Sequence, residues 1–163
     1  MSNPTSKCEA KPEDVLRWSE GRALVATGSP FDPVIYEGRE YRIGQSNNVF
    51  IFPGVGLGVL VAEACEVTDG MFAAAARQRA EEVRPEYLAA GSLFPPAARI
   101  REVTAHVAAA VVREAREMGV AARSLADEDI PGAVAAAMWN PCYLPADPAP
   151  EPAYERHQEA TLA

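Results

Sequence analysis

Pro12-Glu13-Asp14-Val15-Leu16-Arg17-Trp18-Ser19-Glu20-Gly21, followed directly by Arg22-Ala23-Leu24-Val25-Ala26-Thr27-Gly28-Ser29-Pro30, is the stretch that decides the fold class. Proline suits a first helical turn, and Glu13 and Asp14 suit the positive end of a helix. A short helix is therefore expected to run to about Glu20 and to stop at Gly21. Arg22 to Thr27 then reads as a short buried strand closed by Gly28-Ser29-Pro30. Helix, glycine stop and apolar strand make an α/β rhythm. A parallel strand needs neighbours, and none is evident in the sequence.

Downstream the pattern changes. Phe31 to Ser46 reads as loop with a small hairpin around Gly38, flanked by Tyr36 and Tyr41. Phe50 to Cys65 is apolar nearly all round, which predicts a buried helix. Thr68 is a good cap for the next helix, in which Met71, Phe72, Ala75, Ala76, Arg79 and Val83 recur at helical spacing. Pro95-Pro96 opens the longest helix, expected to reach Met118 before Gly119 ends it. Its stripe is Ile100, Val103, Val107, Val111 and Met118, widened by Thr104, Ala108, Val112 and Ala115. Ile130 to Met138 is expected to form a short helix. Pro141 to Pro152 is proline-rich, and a solvated tail follows. The first fifth of the chain reads as the end of a sheet domain, and the rest as helices that need covering. Such a chain reads as a piece of a larger protein. Exposed apolar surface is then expected on Val49 to Ala64 and on the long helix, with association as its consequence.

Composition narrows the function classes. The chain has 163 residues, 48% of them hydrophobic, so a real core is within reach. A net charge of -8 and a pI of about 4.8 argue against a nucleic-acid or anionic-membrane partner. Cys8, Cys65 and Cys142 are an odd, scattered set with no CxxC pair, which supports neither a disulfide framework nor a zinc motif. The N-terminus carries no apolar signal segment, and Val49 to Ala62 is too short and too broken by Pro53 and glycines to span a membrane. A cytoplasmic protein is expected.

Three segments carry polar chemistry: Ser2-Asn3-Pro4-Thr5, Gly28-Ser29-Pro30-Phe31-Asp32-Pro33 and Gly44-Gln45-Ser46-Asn47-Asn48. Asparagine amides both donate and accept, so they can hold a carboxylate or a hydroxyl without adding charge. Asn3-Pro4 has a plainer reading as a turn. Gly54-Val55-Gly56-Leu57-Gly58 imitates a dinucleotide fingerprint but lacks its third glycine at the required offset, so close helix packing is the better reading. Glu63, Glu66 and Asp69 read as a solvated face rather than a metal cluster, and Glu81-Glu82 and Glu114-Glu117 read the same way. His106 reads as a structural or surface histidine.

These blocks also carry a resemblance. Ser2-Asn3-Pro4-Thr5-Ser6-Lys7, Gly21-Arg22-Ala23-Leu24, Gly28 to Pro33 and Gly44 to Gly58 resemble consecutive segments of malic enzymes. So do Leu93-Phe94-Pro95-Pro96, Ile100-Arg101-Glu102-Val103 and Met138-Trp139-Asn140-Pro141-Cys142-Tyr143. The resemblance implies the C-terminal end of a Rossmann-like nucleotide-binding domain, residues 1–48. A helical region, 49–122, would pack on a missing catalytic domain, and 123–163 would be an extension and tail. It implies oxidative decarboxylation of malate to pyruvate and CO2 with NAD or NADP and a divalent Mg or Mn. Asn3 would face substrate and nicotinamide, Asn47 would contact malate, and Asn48 would support it. The order Lys7-Cys8-Glu9-Ala10 and the serine at Ser46 depart from the family pattern. The family's catalytic tyrosine and lysine, acidic metal ligands and phosphate-binding glycine loop have no counterpart here, so the chain alone is expected to lack turnover. The missing N-terminal portion is then the expected partner. A non-catalytic remnant or interaction module is the rival expectation.

Overall fold

A computed structural model describes residues 5–141. Helix α1, Pro12–Trp18, forms as its sequence predicts: Pro12 stands in the first turn, with Glu13 and Asp14 at the positive end. It closes on Gly21, which adopts φ +72° and donates its N–H to the Leu16 carbonyl at 2.8 Å. The strand that follows is shorter than Arg22 to Thr27, because only β1, Ala26–Thr27, finds a partner. That partner is β4, Gly44–Gln45, which pairs with β1 in parallel, Ala26 opposite Gly44 and Thr27 opposite Gln45. The expected loop therefore hides the missing neighbour. Two residues, one of them glycine, leave no alternation to read. The hairpin around Gly38 is present as β2, Val34–Tyr36, paired antiparallel with β3, Arg39–Tyr41. Leu16, Val25 and Tyr41 are the buried core of this region.

The remaining core is helical. A 3-10 turn, Asn48–Phe50, leads into α2, Phe52–Ala62, which ends on Glu63 at φ +50°. Helix α3 runs Asp69–Glu81 with Thr68 as its cap, the hydroxyl accepting from the Met71 N–H at 3.3 Å. Helix α4, Pro85–Ala89, was not foreseen, being five residues long with no buried stripe. Helix α5, Ile100–Glu117, is reached through a 3-10 turn at Ala97–Arg99, and α6 is Ile130–Ala137. Val103, Val107, Ala108, Val111 and Ala115 of α5 have no exposed surface, and Met71, Ala75, Ile130 and Val134 pack around them. The expectation of exposed apolar surface on this helix is thus corrected, because α2, α3 and α6 cover its stripe. Met118 falls just past the helix and is half exposed.

Gly54 and Gly58 are the seam between α2 and α5. A Cβ on Gly54 would stand 2.5 Å from Val107 Cγ1, and one on Gly58 2.6 Å from Val111 Cβ and 2.8 Å from the Ala108 carbonyl. Gly56 faces open space. The close-packing reading of this glycine run holds. The expectation that α2 is buried all round does not. Its far face leaves Leu60 75% and Phe52 58% exposed, so the helix is covered on one side only. Glu82 also departs from the solvated reading, because it turns inward at the end of α3 and is buried.

Candidate functional site

In open parallel α/β sheets, ligands collect beyond the carboxyl ends of the strands. Here those ends are Thr27-Gly28-Ser29 after β1 and Ser46-Asn47 after β4. They are tied together: the Ser46 N–H donates to the Thr27 carbonyl at 2.7 Å, and the buried Thr27 hydroxyl donates to the Ser29 carbonyl at 2.7 Å. The Gly28 carbonyl accepts two side-chain amides, Gln45 Nε2 at 3.3 Å and Asn47 Nδ2 at 3.4 Å. Asn47 also caps the following 3-10 turn, its Oδ1 accepting from the Val49 N–H at 3.0 Å. These two contacts decide which way its amide points. Oδ1 is committed to the backbone, and one Nδ2 hydrogen is left to offer. Asn48 is exposed in the turn itself. Asn3 lies outside the described residues, as do Cys142 and Tyr143.

Next to this point is a cavity of about 540 Å³. Phe31, Phe94 and Tyr87 give it aromatic wall, and Arg42, Glu40, Gln45 and Ser92 are its polar side chains. Arg42 is already engaged with Glu40 at 3.4 Å. Asn47 does not line this space. Beneath it, Arg79 donates to the Leu93 carbonyl at 2.9 Å and lies over the Phe94 ring at 3.4 Å, so burial holds its guanidinium below the usual arginine range. Phe94 in turn meets Phe50, ring centroids 5.9 Å apart, which joins the cavity wall to the helical core.

The described residues do not fit a dinucleotide's phosphates. Of the glycines in Gly54 to Gly58 that would have to approach a pyrophosphate, Gly54 and Gly58 are spent against Val107 and Val111. Nor do they fit a divalent cation. Glu63, Glu66 and Asp69 are exposed, and α2 ends before they could share a helix face. Glu82, Glu102 and His106 bring three ligand-type atoms within 4.8 Å of one another. However, the Arg99 guanidinium already fills the place of the cation, with Nη2 at 2.8 Å from Glu82 and 2.7 Å from Glu102. The hydrogen bond from Arg99, aided by its charge, holds the Glu102 carboxyl below the usual carboxylate range. His106 Nδ1 meets Glu82 Oε1 at 2.6 Å, so the structural reading of His106 gains a specific partner. Two Glu82 partners, Arg99 and His106, lie 17 and 24 residues away in sequence, and no local spacing signals them.

Residues 1–116 match the family described as malic enzyme, NAD binding domain. The NAD-dependent malic enzyme 3 of Bacillus subtilis is 50% identical over 145 residues, 89% of this chain and 25% of that protein. The NAD-dependent malic enzyme of Vibrio parahaemolyticus is 48% identical, and the NADP-dependent malic enzyme of Populus trichocarpa 43%, each over 88% of this chain. Those two matches cover 25% and 24% of the relatives, so the chain spans about a quarter of their length. The crystal structure of malic enzyme from Pyrococcus horikoshii superposes with a TM-score of 0.59 at 28% identity, over 79% of this chain and 26% of that one. With a family match over more than two thirds of its residues and relatives near half identity along most of its length, the chain belongs to the malic enzyme family, as a portion of its NAD-binding domain.

Proposed function

We propose that this chain is the substrate-orienting part of a malic enzyme, serving the oxidative decarboxylation of malate to pyruvate and CO2 with NAD or NADP. The observation that carries this reading is the fixed amide of Asn47 at the carboxyl end of the β1–β4 pair. An Nδ2–H directed by two backbone contacts is preorganised to donate to a carboxylate oxygen, and a neutral amide does so without disturbing a nearby hydride acceptor. Asn3 is proposed as the second amide, facing substrate and nicotinamide, with Asn48 in support. Residues 1–48 would close the nucleotide-binding domain, 49–122 would pack on the catalytic domain, and 123–163 would extend from it. The exposed Phe52 and Leu60 face of α2 supports that packing. The phosphate-binding loop, the proton-transferring side chains and the ligands for Mg or Mn would come from the N-terminal portion. Turnover would then require both parts.

The test separates binding from folding. In the complete enzyme, Asn47→Asp keeps an acceptor for the Val49 N–H but removes the amide donor and sets a negative charge against malate. Loss of the Asn47 bond to the Gly28 carbonyl is expected to cost about 1 kcal/mol of stability, while KM for malate rises by about 10- to 100-fold. An Asn47→Asp enzyme with unchanged malate kinetics would contradict the assignment.

A further inference from the structure

A second cavity, of about 510 Å³, lies between α3, α5 and α6, with Glu82, Ala105, His106, Ala109, Arg113 and Val134 in its lining. It shares no lining residue with the strand-end cavity. Its volume is that of a small-molecule site, and its composition is an apolar floor with a few convergent polar groups. His106 and Arg113 are seven residues apart on α5, two helical turns along one face, with Ala109 between them. The two polar ends are not equivalent. Glu82, which is buried, accepts from Arg99 at 2.8 Å and from Gln78 at 3.3 Å. Since a carboxylate only accepts, the His106 Nδ1 at 2.6 Å must carry the proton. With the proton on Nδ1, Nε2 is the position that accepts when the ring is uncharged, and it has no partner among the described residues. At the other end, Arg113 makes no hydrogen bond among the described residues. Asp127 is 3.8 Å from its Nε but is held at 2.8 Å by Arg116, so the Arg113 fork remains available.

We infer that this cavity binds a short carboxylate bearing a hydroxyl at its far end. The carboxylate pairs with the Arg113 guanidinium, the carbon chain lies on Ala105, Ala109 and Val134, and the hydroxyl donates to His106 Nε2. The nearby carboxylates are partly compensated, because Arg99 lies between Glu82 and Glu102 and Arg116 holds Asp127. The buried Glu82 carboxylate acts as a positioning group that fixes the tautomer of His106.

The experiment is NMR titration of the full chain, reading the His106 ring and Arg113 Nε–H signals, with acetate, butyrate, 4-hydroxybutyrate and butylamine as probes. Saturable shifts are expected for the carboxylates and none for butylamine. Butyrate should bind at least several-fold more tightly than acetate, since each buried methylene adds about fourfold. The hydroxyl should add about threefold more and move the His106 signal. Arg113→Gln should weaken binding at least tenfold. Ala105→Leu, which fills the floor and keeps both charges, should abolish it. Absence of a saturable shift, equal response to butylamine, or binding unchanged in both variants would overturn the proposal.

Discussion

The strand region and the helical region are built to different standards of self-sufficiency. The helical region has a closed core, although one face of α2 stays open. Val103, Val107 and Val111 are fully buried, and Gly54 and Gly58 let α2 approach α5 to within a side chain's thickness. The strand region has two two-stranded sheets and a buried core of Leu16, Val25 and Tyr41. It leans on its neighbour: the Arg42 N–H donates to the Ala90 carbonyl at 2.8 Å, and Gly44 packs against Ser92 and Phe94. A sheet this small is not independently stable, since a sheet needs three or more strands or a covering layer. The polar contacts on which the proposed substrate role rests gather in the less self-sufficient region, at Gly28, Gln45 and Asn47. On that proposal, the main packing core and the substrate-orienting amide lie in different regions.

Disrupting the helical seam should have the largest effect. Gly58→Val drives a side chain into Val111 and the Ala108 carbonyl, and is expected to destabilise the chain by about 3 kcal/mol in denaturant unfolding followed by circular dichroism. Gly56→Ala, two residues away and facing open space, should stabilise by up to about 1 kcal/mol, because only the helix propensity changes. Equal effects at the two positions would mean that α2 does not seat on α5 as described.

Removing the cation between α3 and α5 should come next. Arg99→Ala leaves buried Glu82 with Gln78 and His106 alone and is expected to cost about 2 kcal/mol at neutral pH. It also removes the partner that lowers the Glu102 carboxyl. A carboxyl whose folded pKa is depressed stabilises above its unfolded value, and that stabilisation is lost as pH falls through the folded value. Below about pH 4 the parent protein should therefore lose stability more steeply than Arg99→Ala. Parallel acid profiles would contradict the role given to this ion pair.

The smallest effect belongs to the strand region. Gly38 turns the hairpin at φ +78° with nothing within 4 Å of a would-be Cβ. Gly38→Ala should cost about 1 kcal/mol from the left-handed backbone alone, with a faster hydrogen exchange confined to Val34–Tyr41. A loss spread over α5 would mean that the two regions fold as one unit and that the contrast drawn above is wrong.

These differences explain what the sequence made legible. The helical seam was readable because periodicity and glycine spacing are local: Gly54, Gly58, Val107 and Val111 each announce a face. Thr68 as a cap and Gly21 as a stop were readable for the same reason. Strand β4 was not, since Gly44-Gln45 has no pattern of its own and acquires its identity only from Ala26–Thr27 across the sheet. The burial of Glu82 is not legible, because its ionic partners Arg99 and His106 come from α5 and the turn before it, beyond any helical spacing. Asn47 was legible as a candidate from its amide chemistry and from the malic-enzyme blocks around it. The orientation of that amide, set by Gly28 and Val49, required the fold.

The central claim is that this chain orients substrate and depends on other residues for catalysis. Malate-dependent reduction of NAD and NADP with Mg or Mn, measured on the purified chain alone and after mixing with the N-terminal portion of a malic enzyme such as that of Bacillus subtilis, tests it most directly. The account predicts no reduction by the chain alone and turnover on reassembly. Turnover by the isolated chain would contradict it.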